Sequence, residues 1–327
     1  MGELLSAASL PTWANVLIVI VAIGAVGFGA HYVVEAAARI AKRLGISELV
    51  IGLTVVAFGT SAPEFAVTLI ASFRGQGDIS VGNIVGSNIF NLGFILGGCA
   101  MVRAIATNPT LLKRDGAVLG STTLLLLVLI GWDLRMDRLD GVLLFGLLVI
   151  YLIFLFRQRK AGAEEDEGEE LPEASRSLVK DSVILVGGLI AIVGGSHFLV
   201  ESASAIARDF GVSEWVIGVT IVAAGTSAPE FATSLAGVLK GRYAISAGNL
   251  IGSDIFNLLG VLGLAGMMRT MEIAPAARMS LFALTGMVFL VLFFMWTGKK
   301  VSRVEGLILV LIAMSRWAMD FAARSPG

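Results

Sequence analysis

Chemistry that relies on sulfur or imidazole has almost nothing to work with in this chain. Cys99 is its only cysteine, and His31 and His197 are its only histidines. One thiol closes no disulfide within a chain and builds no Cys-type zinc site. Two histidines so far apart in sequence cannot form the HExxH pair of a zinc hydrolase. Charge is scarce as well: 15% of the 327 residues are Asp, Glu, Lys or Arg, against about 25% in a soluble domain. The net charge is −1, so no basic surface points to nucleic acid. No nucleophile and base stand at a spacing that marks a hydrolase, so nothing points to an enzyme. The opening residues "MGELLSAASLPTW" lack a basic n-region and lead into a full-length apolar run. No cleavable signal peptide is therefore expected, and the first apolar segment would direct insertion.

What the chain has in abundance is apolar sequence. Hydrophobic residues make up 56% of it, with a mean hydropathy of +0.87. The apolar windows approach the roughly 20 residues that a bilayer-crossing helix needs. They fall at 15–38, 48–73, 79–102, 116–132, 139–157, 181–206, 214–239, 245–268, 279–297 and 304–321. The expectation is an all-α polytopic membrane protein with ten transmembrane helices. Only "RQRKAGAEEDEGEELPEASRSLVK", residues 157–180, is strongly polar, and acids this dense read as a solvated linker.

The two halves repeat each other at an offset of 166 residues. Aligning 29–97 with 195–263 gives 38 identities in 69 positions. The organisation expected is a first repeat at 1–157, an acidic linker at 158–180 and a second repeat at 181–327, an arrangement common in secondary transporters. Five helices per repeat would insert the copies in opposite senses, and the charges agree. Arg39, Lys42 and Arg43 after the first span become Ala205, Arg208 and Asp209 in the second copy. Arg74 and Asp78 after the second span become Lys240, Arg242 and Ala244 in the second copy. With both termini outside a plasma (inner) membrane and the linker in the cytoplasm, 16 of the 24 Lys and Arg residues would lie on the cytoplasmic side, as the positive-inside rule expects.

Each copy carries "GTSAPEF", at 59–65 and 225–231, within an apolar run. Pro63 and Pro229 supply no N–H and disturb the preceding turn, which leaves carbonyls near Gly59 and Gly225 without helical donors. Such groups survive at membrane depth only when buried in protein or lining a cavity. Thr60, Ser61 and Glu64 share one helical face, as do Thr226, Ser227 and Glu230. The next span adds Asn83, Ser87 and Asn91, with Asn249, Ser253 and Asn257 in the second copy. Every donor here is oxygen, the choice of calcium and sodium and not of zinc or copper. A mid-membrane carboxylate costs roughly 3 kcal/mol on insertion scales, and two that face each other repel. Glu64 and Glu230 therefore read as a doubly negative site matched to one divalent ion, or to monovalent ions or protons in exchange. Glu35 and Glu201 sit nearer span ends, where snorkelling or gating fits as well as coordination, and His31 and His197 fit packing or hydrogen bonding.

At these residues the chain resembles the cation/calcium antiporter superfamily, in particular its prokaryotic sodium/calcium exchangers. The resemblance rests on the two "GTSAPE" motifs with "GNIVGSNIFN" and "GNLIGSDIFN", in signature blocks at 57–97 and 223–263. It implies a central ion site with Glu64 and Glu230 as carboxylate ligands and hydroxyls from Thr60, Ser61, Ser87, Thr226, Ser227 and Ser253. Asn91 and Asn257 would add amide oxygens, and Ala57 and Ala223 backbone carbonyls. Spans 1 and 6 would slide against that core. No cofactor is implied; Ca²⁺ and Na⁺ are the transported partners. Asn257 stands where potassium-dependent relatives carry Asp, which argues against potassium co-transport. Asp254 stands where Asn is common. Its direction, about 100° from Ser253, leaves it at the edge of the site as an accessory or against a neighbouring helix. The implied function is Na⁺/Ca²⁺ antiport that exports calcium. A Ca²⁺/H⁺ exchanger using the same glutamates is the alternative, and a cation channel a third reading.

Overall fold

The computed structural model describes residues 10–158, 177–212, 217, 221, 223–275 and 277–324. They form an all-helical protein. The helices are α1 (Thr12–Leu44), α2 (Glu48–Thr60), α3 (Ala62–Phe73), α4 (Gly77–Val102), α5 (Leu111–Asp133) and α6 (Arg138–Arg157). After the linker come α7 (Leu178–Asp209), α8 (Ala223–Thr226), α9 (Ala228–Leu239), α10 (Tyr243–Met268), α11 (Ala277–Gly298) and α12 (Arg303–Arg324). Among the described residues seven helices are long and apolar enough to cross a membrane, and the bent pair α2–α3 makes an eighth. Most of the linker, and most of 213–222, lie outside the described residues.

Helix ends follow capping chemistry more than hydropathy. α1 runs on to Leu44, beyond the apolar window at 15–38, and stops where Gly45 takes the left-handed conformation (φ 61°). Ser47 Oγ then accepts from the Val50 N–H to start α2. α6 opens on a reciprocal capping box between Asp137 and Asp140. α5 begins at Leu111 and so takes in Lys113, Arg114 and Asp115, which the apolar window at 116–132 had left out. Arg114 and Asp115 are ion-paired with each other (2.8 Å) and buried, a pairing that a hydropathy sum cannot register.

Short contacts tie helix ends to one another. Strand β1 (Ile105–Ala106) pairs antiparallel with β4 (Lys300–Val301), and β2 (Arg135–Met136) with β3 (Met271–Glu272). Asp78 accepts from Ala274 N, and Thr12 donates to Asp209. Arg242 bridges to Glu48 at 3.0 Å, and Arg39 to Asp181 at 2.8 Å.

α10 occupies the centre, with 89% of its apolar window buried, and α4 follows at 67%; α1 and α7 reach only 28% and 22%. α1 and α7 pack along each other at the margin. A Cβ on Gly29 would come 2.8 Å from the Gly188 carbonyl, so small residues let these two backbones approach. α10 meets α2 as closely: a Cβ on Gly252 would fall 2.7 Å from Leu53 Cα.

Candidate ion site

The duplicated motif breaks its helix at Ser61 and not at the proline. α2 and α3 meet there at 52°, with Ser61 itself at φ −76°, ψ 7°. Pro63 sits in the first turn of α3, where its missing N–H would have had no helical partner. Pro229 takes the same place in α9, after Ser227 at φ −90°, ψ 9°. A π-helical stretch at Gly52–Val56 precedes the break. Just beyond it, the Ala57 carbonyl accepts from Thr60 Oγ1 at 3.2 Å and from Ser253 Oγ at 3.4 Å.

Because the helix is broken, Ser61 and Glu64 do not act as one face toward a single partner. Each serine instead serves the other copy's glutamate. Ser61 Oγ donates to Glu230 Oε1 at 3.0 Å, and Ser227 Oγ donates to Glu64 Oε1 at 3.1 Å. Ser253 Oγ lies 3.4 Å from the same Glu230 oxygen and 3.5 Å from Thr60 Oγ1. Thr226 is a further hydroxyl partner of Glu64. Ser87 is buried on α4, and Ala223 opens α8. Glu64 and Glu230 are buried to within 1% of full enclosure.

A second exchange lies on α4 and α10. Asn91 Nδ2 donates to Asp254 Oδ1 at 3.0 Å, and Asn257 Nδ2 donates to Asn88 Oδ1 at 3.0 Å. At the offset of 166, Asn257 is the mate of Asn91 and Asp254 the mate of Asn88. Asp254 is therefore fully buried against the facing helix, and it carries a charge where its mate carries an amide. Asn83 and Asn249 brace their own copies: Asn83 donates to Thr68 at 2.9 Å and Asn249 to Ser234 at 3.1 Å. Asn249 also accepts from Thr60 at 3.1 Å, which joins the copies.

These bonds leave a one-sided remainder. Glu64 Oε2, Glu230 Oε2, Asp254 Oδ2, Asn91 Oδ1 and Asn257 Oδ1 are buried with no hydrogen-bond partner among the described residues. All five are acceptors. A buried acceptor left alone costs about 1–3 kcal/mol, more when charged, and a hard cation satisfies several at once. Among the described residues no three His, Cys, Asp or Glu side chains converge, so neutral oxygens would complete the shell of any ion held here.

Glu35 lies outside this cluster. It bridges to Lys240 at 2.6 Å and to Arg39 at 3.3 Å, with His31 also at 3.3 Å. Glu201 and His197 face each other at 3.6 Å. These pairs tie helix surfaces and reach no part of the ion cluster.

The sequence profile described as sodium/calcium exchanger protein matches residues 14–157 and 181–314. The chain belongs to the sodium/calcium exchanger family. It is 36% identical over 269 residues to inner membrane protein YrbG of Escherichia coli (strain K12), covering 80% of this chain and 82% of the relative. It is 32% identical to sodium/calcium exchanger MaX1 of Methanosarcina acetivorans, over 91% of this chain and 95% of that one. Among solved structures it is similar to the sodium-calcium exchanger NCX_Mj soaked with 10 mM Na⁺ and 10 mM Sr²⁺. That match has a TM-score of 0.82 and 30% identity, and covers 94% of this chain and 99% of the other. The chain is thus a multi-pass membrane protein and a cation/Ca²⁺ antiporter, in a family of transporters that are not enzymes and need no cofactor.

Proposed function

We propose that the chain exchanges Na⁺ for Ca²⁺ by alternating access and normally exports Ca²⁺. Ca²⁺ and Na⁺ compete for one cluster. Its ligands are Glu64 and Glu230, hydroxyls of Thr60, Ser61, Ser87, Thr226, Ser227 and Ser253, amide oxygens of Asn91 and Asn257, and carbonyls of Ala57 and Ala223. The observation that carries this reading is the reciprocal pairing of Ser61 with Glu230 (3.0 Å) and Ser227 with Glu64 (3.1 Å). It leaves one oxygen of each carboxylate without a donor. Two buried carboxylates hold off each other's charge only when a cation or proton intervenes. A site that is stable only when filled forbids an empty passage, and that couples the two fluxes.

The architecture proposed for this exchange is two inverted five-helix repeats, 1–157 and 181–327, joined by a cytoplasmic acidic linker at 158–180, with both termini outside. Hydrogen bonds repeated at the offset of 166 support it. Ser80 donates to the Thr68 carbonyl at 3.2 Å, and Ser246 to the Ser234 carbonyl at 2.9 Å. Every contact between helix ends described above joins segments that this topology puts on one side. α1 and α7, marginal and packed along each other through glycines, would slide against the core.

A Ca²⁺/H⁺ exchanger is the second reading, favoured by the two fully enclosed glutamates. It needs little from the hydroxyls, which carry no transportable proton. Sodium needs them. Calcium uptake into vesicles under a sodium gradient or a proton gradient, run in parallel, separates the two. With Thr60→Val and Ser227→Ala, the sodium concentration for half-maximal exchange should rise roughly five- to a hundredfold. That follows from about 1–3 kcal/mol per lost ligand. Uptake that follows pH alone and ignores both substitutions decides for protons.

A further inference from the structure

The buried charges at the start of α5 belong to no part of the ion cluster. Arg114 Nε and Nη2 grip the two oxygens of Asp115 at 2.8 and 3.0 Å, and Tyr151 Oη donates to Asp115 Oδ1 at 3.0 Å. Asp115 thereby accepts three bonds, and the guanidinium is fixed in orientation. Arg114 Nη1 is left buried with no hydrogen-bond partner among the described residues, on a side chain only 7% exposed. The Arg114 residue borders an open groove of about 600 Å³ with Lys113, Thr110, Val118, Phe154 and Gln158.

The lining of this groove suits one class of occupant. Arg114 is the fourth residue of α5, and Gln158 follows the last residue of α6, so the polar end lies where the helices leave the apolar layer. Lys113 is exposed there and brings a charge that no described acid neutralises. Deeper in, Phe154 (43% exposed) and Val118 offer an apolar wall on membrane-spanning helices. An anionic head beside a hydrocarbon tail fits both ends. Basic pockets between helices at the membrane surface bind phospholipid headgroups in this manner. The repeat mates of Lys113, Arg114 and Asp115 are Met279, Ser280 and Leu281. The feature is built once, whereas the ion ligands are built twice.

We propose that this pocket binds the phosphate of an anionic phospholipid. Lys113 at the surface and the Arg114 guanidinium behind it attract the phosphate, and Phe154 and Val118 hold the start of an acyl chain. The proposal does not depend on which ions are exchanged.

Native mass spectrometry of the full chain, taken from mixed phosphatidylcholine and phosphatidylglycerol bilayers, reads it directly. The wild type should keep phosphatidylglycerol in preference to phosphatidylcholine through mild detergent. Lys113→Gln, at an exposed position that leaves the buried pair intact, should weaken that retention about fivefold, the value of one surface cation. Arg114→Lys, which keeps a charge beside Asp115 but cannot also reach the pocket, should weaken it further. Equal retention of the two lipids, or retention indifferent to both variants, overturns the proposal. Displacement of the lipid by millimolar inorganic phosphate would make this a site for a soluble anion and also overturn it. So would a gain in retention on deleting 163–170, because the acidic linker would then be the occupant.

Discussion

Asn91 reaches across from α4 to place its Nδ2 3.0 Å from Asp254 Oδ1 on α10, while its own amide oxygen is left without a donor. The mate of this bond, Asn257 to Asn88, has the same length and no charge. The two halves of the lattice thus differ by one carboxylate. Asp254→Asn should fold normally, since an amide oxygen accepts the same bond. Removing a negative charge near the ions should weaken a divalent cation more than a monovalent one. The expected outcome is a calcium half-saturation raised about three- to thirtyfold, with a smaller change for sodium. Proteoliposome flux titrated in both ions measures it. No change in either would make Asp254 a packing residue.

The charge of the central pair is a sharper matter. Glu64→Gln and Glu230→Gln each halve it while keeping an acceptor for Ser227 or Ser61. Each variant should insert and fold, yet lose nearly all calcium transport. Near wild-type calcium flux in a correctly inserted variant would remove that glutamate from the site.

Gly225 and Gly59 are repeat mates that differ in what they touch on α7. A Cβ on Gly225 would overlap Val200 Cγ2, and one on Gly59 would meet Leu189 Cδ1 at 2.6 Å. A β-branched side chain has little rotamer freedom in a helix, whereas the end of a leucine can swing away. Gly225→Ala should therefore destabilise the protein by about 1–3 kcal/mol, and Gly59→Ala by less. Adding Val200→Ala should restore the first variant and do nothing for the second. Thermal unfolding in detergent tests the order. A failed rescue would show that the crowding lies elsewhere.

Sidedness follows from the exchanged basic residues. Asp78, held to Ala274, should be extracellular with the turn at 207–213, and residues 158–180 should be cytoplasmic. Single cysteines placed at 78, 209 and 168 in a Cys99→Ser background should label from outside whole cells at the first two positions only. Labelling of 168 from outside would invert the orientation.

Much of this protein is legible in its letters. Apolar runs near bilayer length indicate an all-helical membrane protein, because backbone groups in lipid must be satisfied within their own segment. The two "GTSAPEF" copies point to a site made of oxygen alone. The chemistry follows from residue types and local spacing, which a sequence states outright.

Partnership across the copies is another matter. Helical spacing groups Ser61 with Glu64, but the break at Ser61 sends its hydroxyl to Glu230. The face taken by Asp254 could not be read from its angle on its own helix, because the register between α4 and α10 decides it. Arg114 and Asp115 lowered the hydropathy of a window whose helix nonetheless includes them. Their mutual neutralisation depends on side-chain geometry that no residue sum contains. Periodicity within a segment is local, whereas contacts between segments nearly half the chain apart are set by close packing of helices. Residue types and their spacing name the oxygens that could hold an ion. Which of those oxygens face one another, and which are left without a donor, is set by how the helices pack.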